Sequence, residues 1–225
     1  MKKAKIFVVA FIALLAASNT KAQEFSVNTD IVSSYVWRGS LFSGPSIQPT
    51  LNFSTGGFSV GSWGSAGFDE FLEMDLYAKY AFNFGLTVGL TDYYYPKGLL
   101  RADDTGHKYF DYSKETGAHG FEANLGYTIK GLSLSANYMI NEAGGAATVG
   151  GDKYFEASYA FKKFTLFAGA GDGWHTPDGE FAVVNVGISA SKDIKITDSF
   201  SIPFKVSAIV NPKTEQFFLV GGITF

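Results

Sequence analysis

The sequence predicts an all-β protein: an antiparallel, up-and-down transmembrane β-barrel of about 12 strands, behind a cleaved signal peptide. Three observations carry this. Apolar and polar residues alternate with a period of two through nearly every segment. Short turns alternate along the chain with long polar loops, the arrangement of barrels that keep their turns on one side of a membrane and their loops on the other. Charged residues make up 17% of the chain and aromatics 16%, with 26 glycines, and beyond residue 22 no apolar run reaches the length of a membrane helix. Soluble domains carry about 25% charged residues. A β-sandwich, the soluble rival, needs polar outward faces, whereas here the second face is small and mostly uncharged.

The N-terminus reads as an export signal. Lys2, Lys3 and Lys5 precede the short apolar run Ile6 to Ala17, and Thr20-Lys21-Ala22 supplies the small residues at which signal peptidase cuts. The run is too short to span a bilayer. The expected division is a signal peptide over 1–22 and one barrel domain over 23–225, with no linker or low-complexity tract. Removal of the leader takes four lysines (Lys2, Lys3, Lys5, Lys21) and leaves a chain more acidic than the −3 of the whole sequence. That charge argues against nucleic acid as a partner. With no cysteine, neither a disulfide framework nor a thiolate metal site can form.

The strands follow in order. Phe25, Val27, Ile31, Tyr35 and Trp37 line one face of a first strand, opposite Ser26, Asn28, Asp30 and Ser34. Ile47, Leu51 and Phe53 then oppose Gln48, Thr50, Asn52 and Ser54. In a fourth strand Leu72, Met74, Leu76, Ala78 and Tyr80 oppose Glu73, Asp75, Tyr77 and Lys79. The pattern returns with Leu132, Leu134, Ala136 and Tyr138, and again from Phe200 to Ala208. The last strand, Thr214 to Phe225, ends on an aromatic residue like the terminal strands read by the bacterial barrel-assembly machinery. Pro49 and Pro203 fall inside strands, where each removes a ladder donor, so bulges are expected there.

Minimal turns are expected at Gly56-Gly57, Asn83, Lys130-Gly131 and Lys163, and longer loops at 38–45, 67–70, 96–118, 142–152 and 172–179. Phe53, Phe58, Phe82, Phe84, Tyr127, Phe161 and Phe164 flank the short turns and make a periplasmic aromatic girdle, joined by Phe25, Phe200 and Phe225. Tyr35, Trp37, Tyr94 and Tyr138 are expected in the outer girdle.

Strand parity points Arg38, Gln48, Trp63, Glu73, Asp75, Tyr77, Lys79, Glu122 and Glu156 into the lumen, with Asp30, Asn52, Asn124, Asn137 and Lys205. Opposed charges inside a pore select solutes by charge and dipole. They also brace a wall, and Arg38 is expected to reach Glu73 or Asp75. Five acidic groups against three basic ones imply mild cation selectivity. Lumen rings (Trp63, Tyr77, Tyr93, Tyr95) either stack on a sugar or nucleoside or fill space.

The segment from Ser33 to Phe82 resembles the TorF-type porin family of Gram-negative outer-membrane proteins. The residues that carry the resemblance are Ser34-Tyr35-Val36-Trp37-Arg38-Gly39, then Ser43, Pro45 and Gln48, then Gly61-Ser62-Trp63-Gly64-Ser65, then Glu73, Asp75 and Tyr80. The resemblance implies an outer-membrane channel and names no solute.

No enzyme, cofactor or metal site is expected. His107, His119 and His175 lie beside no serine nucleophile motif, and the Gly169–Gly173 string precedes no helix, which removes a phosphate-loop reading. His175 with Asp172 and Asp178 is the one candidate base or ion site. The function expected is passive diffusion of small hydrophilic solutes by a monomer in the outer membrane, among lipid and lipopolysaccharide. The alternatives are a closed structural or surface-binding barrel and, third, a rim enzyme.

Overall fold

A computed structural model describes residues 23–99 and 106–225; the expected signal peptide lies outside them. The strands in chain order are β1 (Gln23–Val32), β2 (Tyr35–Trp37), β3 (Ser40–Ser43), β4 (Ser46–Thr55), β5 (Phe58–Gly67), β6 (Leu72–Ala81) and β7 (Leu86–Tyr94). They continue as β8 (His119–Ile129), β9 (Leu132–Met139), β10 (Lys153–Ala160), β11 (Thr165–Gly171), β12 (Ala182–Lys195), β13 (Ser201–Asn211) and β14 (Gln216–Thr224). Twelve of them close one antiparallel barrel in which β4 to β14 pair consecutively and β1 joins β4 to β14. The closing pairs are Asp30↔Thr224, Ile31↔Ile223 and Val32↔Gly222. Closure leaves no unpaired sheet edge.

The alternation in the sequence becomes two surfaces. Val27, Leu51, Leu76, Leu90, Leu125, Leu134, Leu166, Ile188 and Leu219 face outward and are exposed. Their strand neighbours face inward and are mostly polar. At the turn end, Phe25, Phe82, Phe84, Tyr127, Phe161, Phe164, Phe200 and Phe225 form an exposed aromatic band, with Phe82 packed on Tyr80 and Phe84, and Phe161 on Tyr159 and Phe164.

Tight turns follow from local chemistry. Lys130 and Gly131 both take positive φ (47° and 86°) between the paired Ile129 and Leu132. This is the two-residue geometry whose twist matches that of the flanking strands.

Three expectations need correction. The first strand does not run to Trp37: β1 stops at Val32, and the chain turns inward to form the separate β2–β3 ribbon inside the barrel. Tyr35 and Trp37 therefore belong to the interior rather than to an outer girdle, because the period of two persists across the break and conceals it. Tyr94 does face outward, yet it is buried beneath the loop that follows β7, donating its hydroxyl to the His107 carbonyl at 2.6 Å. Lastly, neither proline makes a bulge. The β1–β4 register runs unbroken through Thr29↔Pro49, and β12–β13 through Asp193↔Pro203. β4 pairs with β5 on either side of Gln48 and Pro49 but not at them, and β14 pairs with β13 only from Phe204 onward. At each proline the ladder pairing lapses for want of the N–H, but the register stays in step, so no extra residue is inserted.

Candidate functional site

The interior is organised by the tip of the β2–β3 ribbon. Arg38 (φ 50°) and Gly39 (φ 83°) form a second two-residue turn with both residues left-handed, between the paired Trp37 and Ser40. Gly39 is required twice over. Its φ disfavours a side chain, and a Cβ there would stand 1.9 Å from the Val184 carbonyl oxygen. From the opposite wall Asn211 donates its amide to the Gly39 carbonyl at 3.1 Å, while its Oδ1 accepts the backbone N–H groups of Lys213 and Thr214.

With the turn seated, Arg38 projects across the lumen. Its guanidinium donates to both Glu122 oxygens, at 2.6 and 2.9 Å, with Arg38 11% and Glu122 2% exposed. The guanidinium lies between two rings, 4.2 Å from the Trp37 centroid and 4.5 Å from that of Tyr154. Glu122 also accepts from Tyr93 at 2.9 Å and from Asn124 at 2.7 Å, and Asn124 continues to Thr91 and Asn137. On the other flank Glu156 accepts from Tyr154 at 2.6 Å and Asn185 at 2.9 Å. Arg38 is thus a planar, bidentate, ring-stacked cation, a combination that lysine does not reproduce.

Arg38 does not meet Glu73 or Asp75. They lie on β6 beside an aromatic cluster formed by Tyr35, Trp37, Phe42, Trp63, Phe71, Tyr93, Tyr95 and Trp174. Glu73 accepts from Tyr95 at 3.0 Å. Glu73 Oε2 and Asp75 Oδ1 are buried with no hydrogen-bond partner among the described residues.

The ribbon and this cluster fill the loop end of the lumen. Towards the turn end lie two cavities. One, of about 490 Å³, is lined by Arg38, Gln48, Glu156 and Lys205 with Asp30 and several serines and threonines. The other, of about 450 Å³, is lined by Trp63, Asp75, Tyr77 and Lys79 with Asn124 and Asn137. Of the lumen residues expected from the sequence, Glu73 and Glu122 lie deepest, Gln48 bonds Ser65 at 3.3 Å, Tyr77 donates to Asn52 at 3.1 Å, and Lys79 sits 5.6 Å from the Tyr77 ring centroid.

The loop after β11 caps the ribbon. A single 3-10 turn, Gly173–His175, places Trp174 against Trp37 and Tyr93, and His175 against Trp37 and Tyr154. Burial, and then the nearby Arg38 guanidinium, push the His175 imidazole down to about 3, so it is neutral at pH 7. Asp172 instead holds the backbone N–H and ammonium of Lys153, and Asp178 holds Lys213. The His175–Asp172–Asp178 grouping is therefore not an assembled base or ion site. Among the described residues no three His, Cys, Asp or Glu groups are placed to hold a metal.

Sequence reasoning missed the turn and its partner. The signal was present in Arg38-Gly39, a turn dipeptide inside an alternating run, but a pairing across 84 residues leaves no local trace.

Among known proteins, the model of the Gcw_chp family, described as bacterial proteins of unknown function, matches residues 16–200, and the chain belongs to that family. No curated protein matches the chain.

Proposed function

We propose that the chain is an outer-membrane barrel that passes small hydrophilic solutes by diffusion, with the β2–β3 ribbon as its constriction. The observation that carries this reading is the sorting of the wall into an exposed apolar outer face and a polar, hollow lumen. A soluble barrel has no use for an outer face of leucine, valine and phenylalanine. The wet lower lumen would replace part of a solute's hydration, and the mixed charges around Arg38 would screen what passes. The export signal at 1–22, a mature start at Gln23, and contact with lipopolysaccharide and the barrel-assembly machinery belong to the same proposal.

A second reading is a closed barrel that presents its loops. What favours it is the tight packing of the ribbon, whose Tyr35 ring lies 5.3 Å from both Phe42 and Trp63. Refolded protein in planar bilayers separates the two. Current steps in the wild type or in Arg38→Ala support the channel; silence from both supports the closed barrel. Recovery of the protein as a soluble periplasmic species, without a heat-dependent gel shift, would remove the membrane reading altogether.

A further inference from the structure

The unpartnered carboxylate of Asp75 stands in a particular row. The pairing places Trp63 of β5 directly opposite Asp75, and Tyr93 of β7 directly opposite it on the other side. All three line the cavity of about 450 Å³, with Tyr77 two residues nearer the turns on the same face of β6. Paired strands run about 4.8 Å apart, so the carboxylate is bracketed by a ring on each flank.

Among the described residues no cation answers this carboxylate. Asp75 forms no ion pair among the described residues, and its Oδ1 has no hydrogen-bond partner. Arg38, the basic group deepest in the barrel, is committed to Glu122. Lys79 sits over Tyr77. A buried carboxylate left without a partner is costly and is otherwise neutralised by a proton, so a cationic ligand gains by taking that proton's place where a neutral one does not.

The rings narrow the class further. Aromatic faces attract cations, tryptophan most strongly, and they bind alkylated ammonium groups without the hydrogen bonds that a bare metal ion demands. Inorganic divalent ions favour several carboxylate and other oxygen ligands, and no three His, Cys, Asp or Glu groups gather to hold one among the described residues. The cavity falls within the ~300–1,000 Å³ common for small-molecule sites. We infer that Asp75, flanked by Trp63 and Tyr93, binds an organic ammonium ion inside the barrel. The inference names a solute class for the channel proposed above and depends on that reading only for the route inward. Binding is measured in detergent, without any current.

The probe is choline chloride, titrated into the detergent-solubilised full chain against sodium chloride at matched ionic strength. All three tryptophans of the chain (Trp37, Trp63, Trp174) belong to or pack against the cluster around this site, so their fluorescence reports occupancy. The expected result is a saturable change with choline, about tenfold tighter than with its neutral isostere 3,3-dimethylbutan-1-ol. Asp75→Asn should weaken choline by about tenfold and leave the neutral isostere unchanged. Equal affinity for the two probes, or a choline response no different from that of sodium chloride, overturns the inference. So does an Asp75→Asn protein that keeps its heat-dependent gel shift and binds choline as tightly as before. Should Asp75→Asn not fold, the contrast between probes on the wild type decides alone. Absence of current with tight choline binding would sink the channel and leave this site standing.

Discussion

Arg38 and Glu122 face each other across the lumen in a two-pronged ion pair whose N···O distances are 2.6 and 2.9 Å. The pair ties the tip of an inward-folded ribbon to the wall strand β8. It also neutralises the deepest acid and the deepest base among the lumen residues. The ribbon is thereby held by this ion pair, by the Asn211 amide on the Gly39 carbonyl and by one aromatic cluster.

Arg38→Ala leaves Glu122 buried with its cation gone, a change that costs on the order of 3–5 kcal/mol for buried pairs. The melting temperature in detergent should fall, and single-channel conductance should rise as the ribbon loosens. Arg38→Lys should recover part of the stability, since one ammonium cannot match two parallel bonds and two ring contacts. Unchanged melting and conductance in Arg38→Ala would show that the rings and the Asn211 bond to Gly39 hold the ribbon without the ion pair.

Gly39→Ala tests the same ribbon without touching a charge. The left-handed backbone costs about 1–2 kcal/mol for a residue with a Cβ, and the approach to the Val184 carbonyl adds a clash. Gly131→Ala is the control: it has a similar positive φ, but sits in the β8–β9 turn with its nearest atom 3.1 Å away. Both variants should melt lower. A raised conductance is expected only for Gly39→Ala, and conductance changed equally by both would disconnect the ribbon from the pore.

Ion preference should be mildly cationic. With Arg38 and Glu122 cancelled, Asp30 and Glu156 are offset by Lys79 and Lys205 around the cavities, which leaves Glu73 and Asp75 as the acids without a basic partner, and their ionised fraction sets the preference. Reversal potentials in a KCl gradient should show this, weakening as salt shortens the screening length below about 10 Å. Asp75→Asn should reduce the preference. A clear anion preference in the wild type would show that Lys79 and Lys205 dominate the path.

Acid should loosen the cap over the ribbon. His175 has its folded-state value lowered to about 3 from 6.5. The opened loop therefore binds a proton that the packed loop refuses, and packing weakens as pH falls from the unfolded value towards the folded one. Above about 6.5 the contribution is fully present, and below about 3 no further loss occurs. Open probability should rise between pH 7 and pH 5, and His175→Gln should flatten that response. A wild-type response already flat over this range would mean that the cap does not gate the lumen.

How much was legible in the sequence depended on range. Alternation in segments such as Leu72 to Tyr80 is a local property, and it fixed which residues face inward: Gln48, Trp63, Asp75, Tyr77 and Lys79 all line the two cavities. Turn chemistry is equally local, and Lys130-Gly131 was readable as a minimal turn. Pro49 and Pro203 were visible as missing donors, but whether the strand would bulge there depended on the register of the neighbouring strand.

The residues from Tyr35 to Ser43 mark the boundary. Tyr35 and Trp37 keep the odd positions of the β1 apolar face, and Arg38-Gly39 makes a turn wherever the segment lies. Nothing in nine residues says whether that turn points outward into solvent or inward into a barrel. The inward position is decided by groups far along the chain, namely the Glu122 carboxylate, the Asn211 amide, the Val184 carbonyl and the Trp174 ring. By itself the sequence determined the strands, their two faces and the barrel they close, because a period of two needs only neighbours. The filled loop end, the partner of Arg38 and the unpartnered carboxyl of Asp75 were decided by the tertiary structure, because only closure of the barrel brings those groups within hydrogen-bonding reach or keeps them out of it.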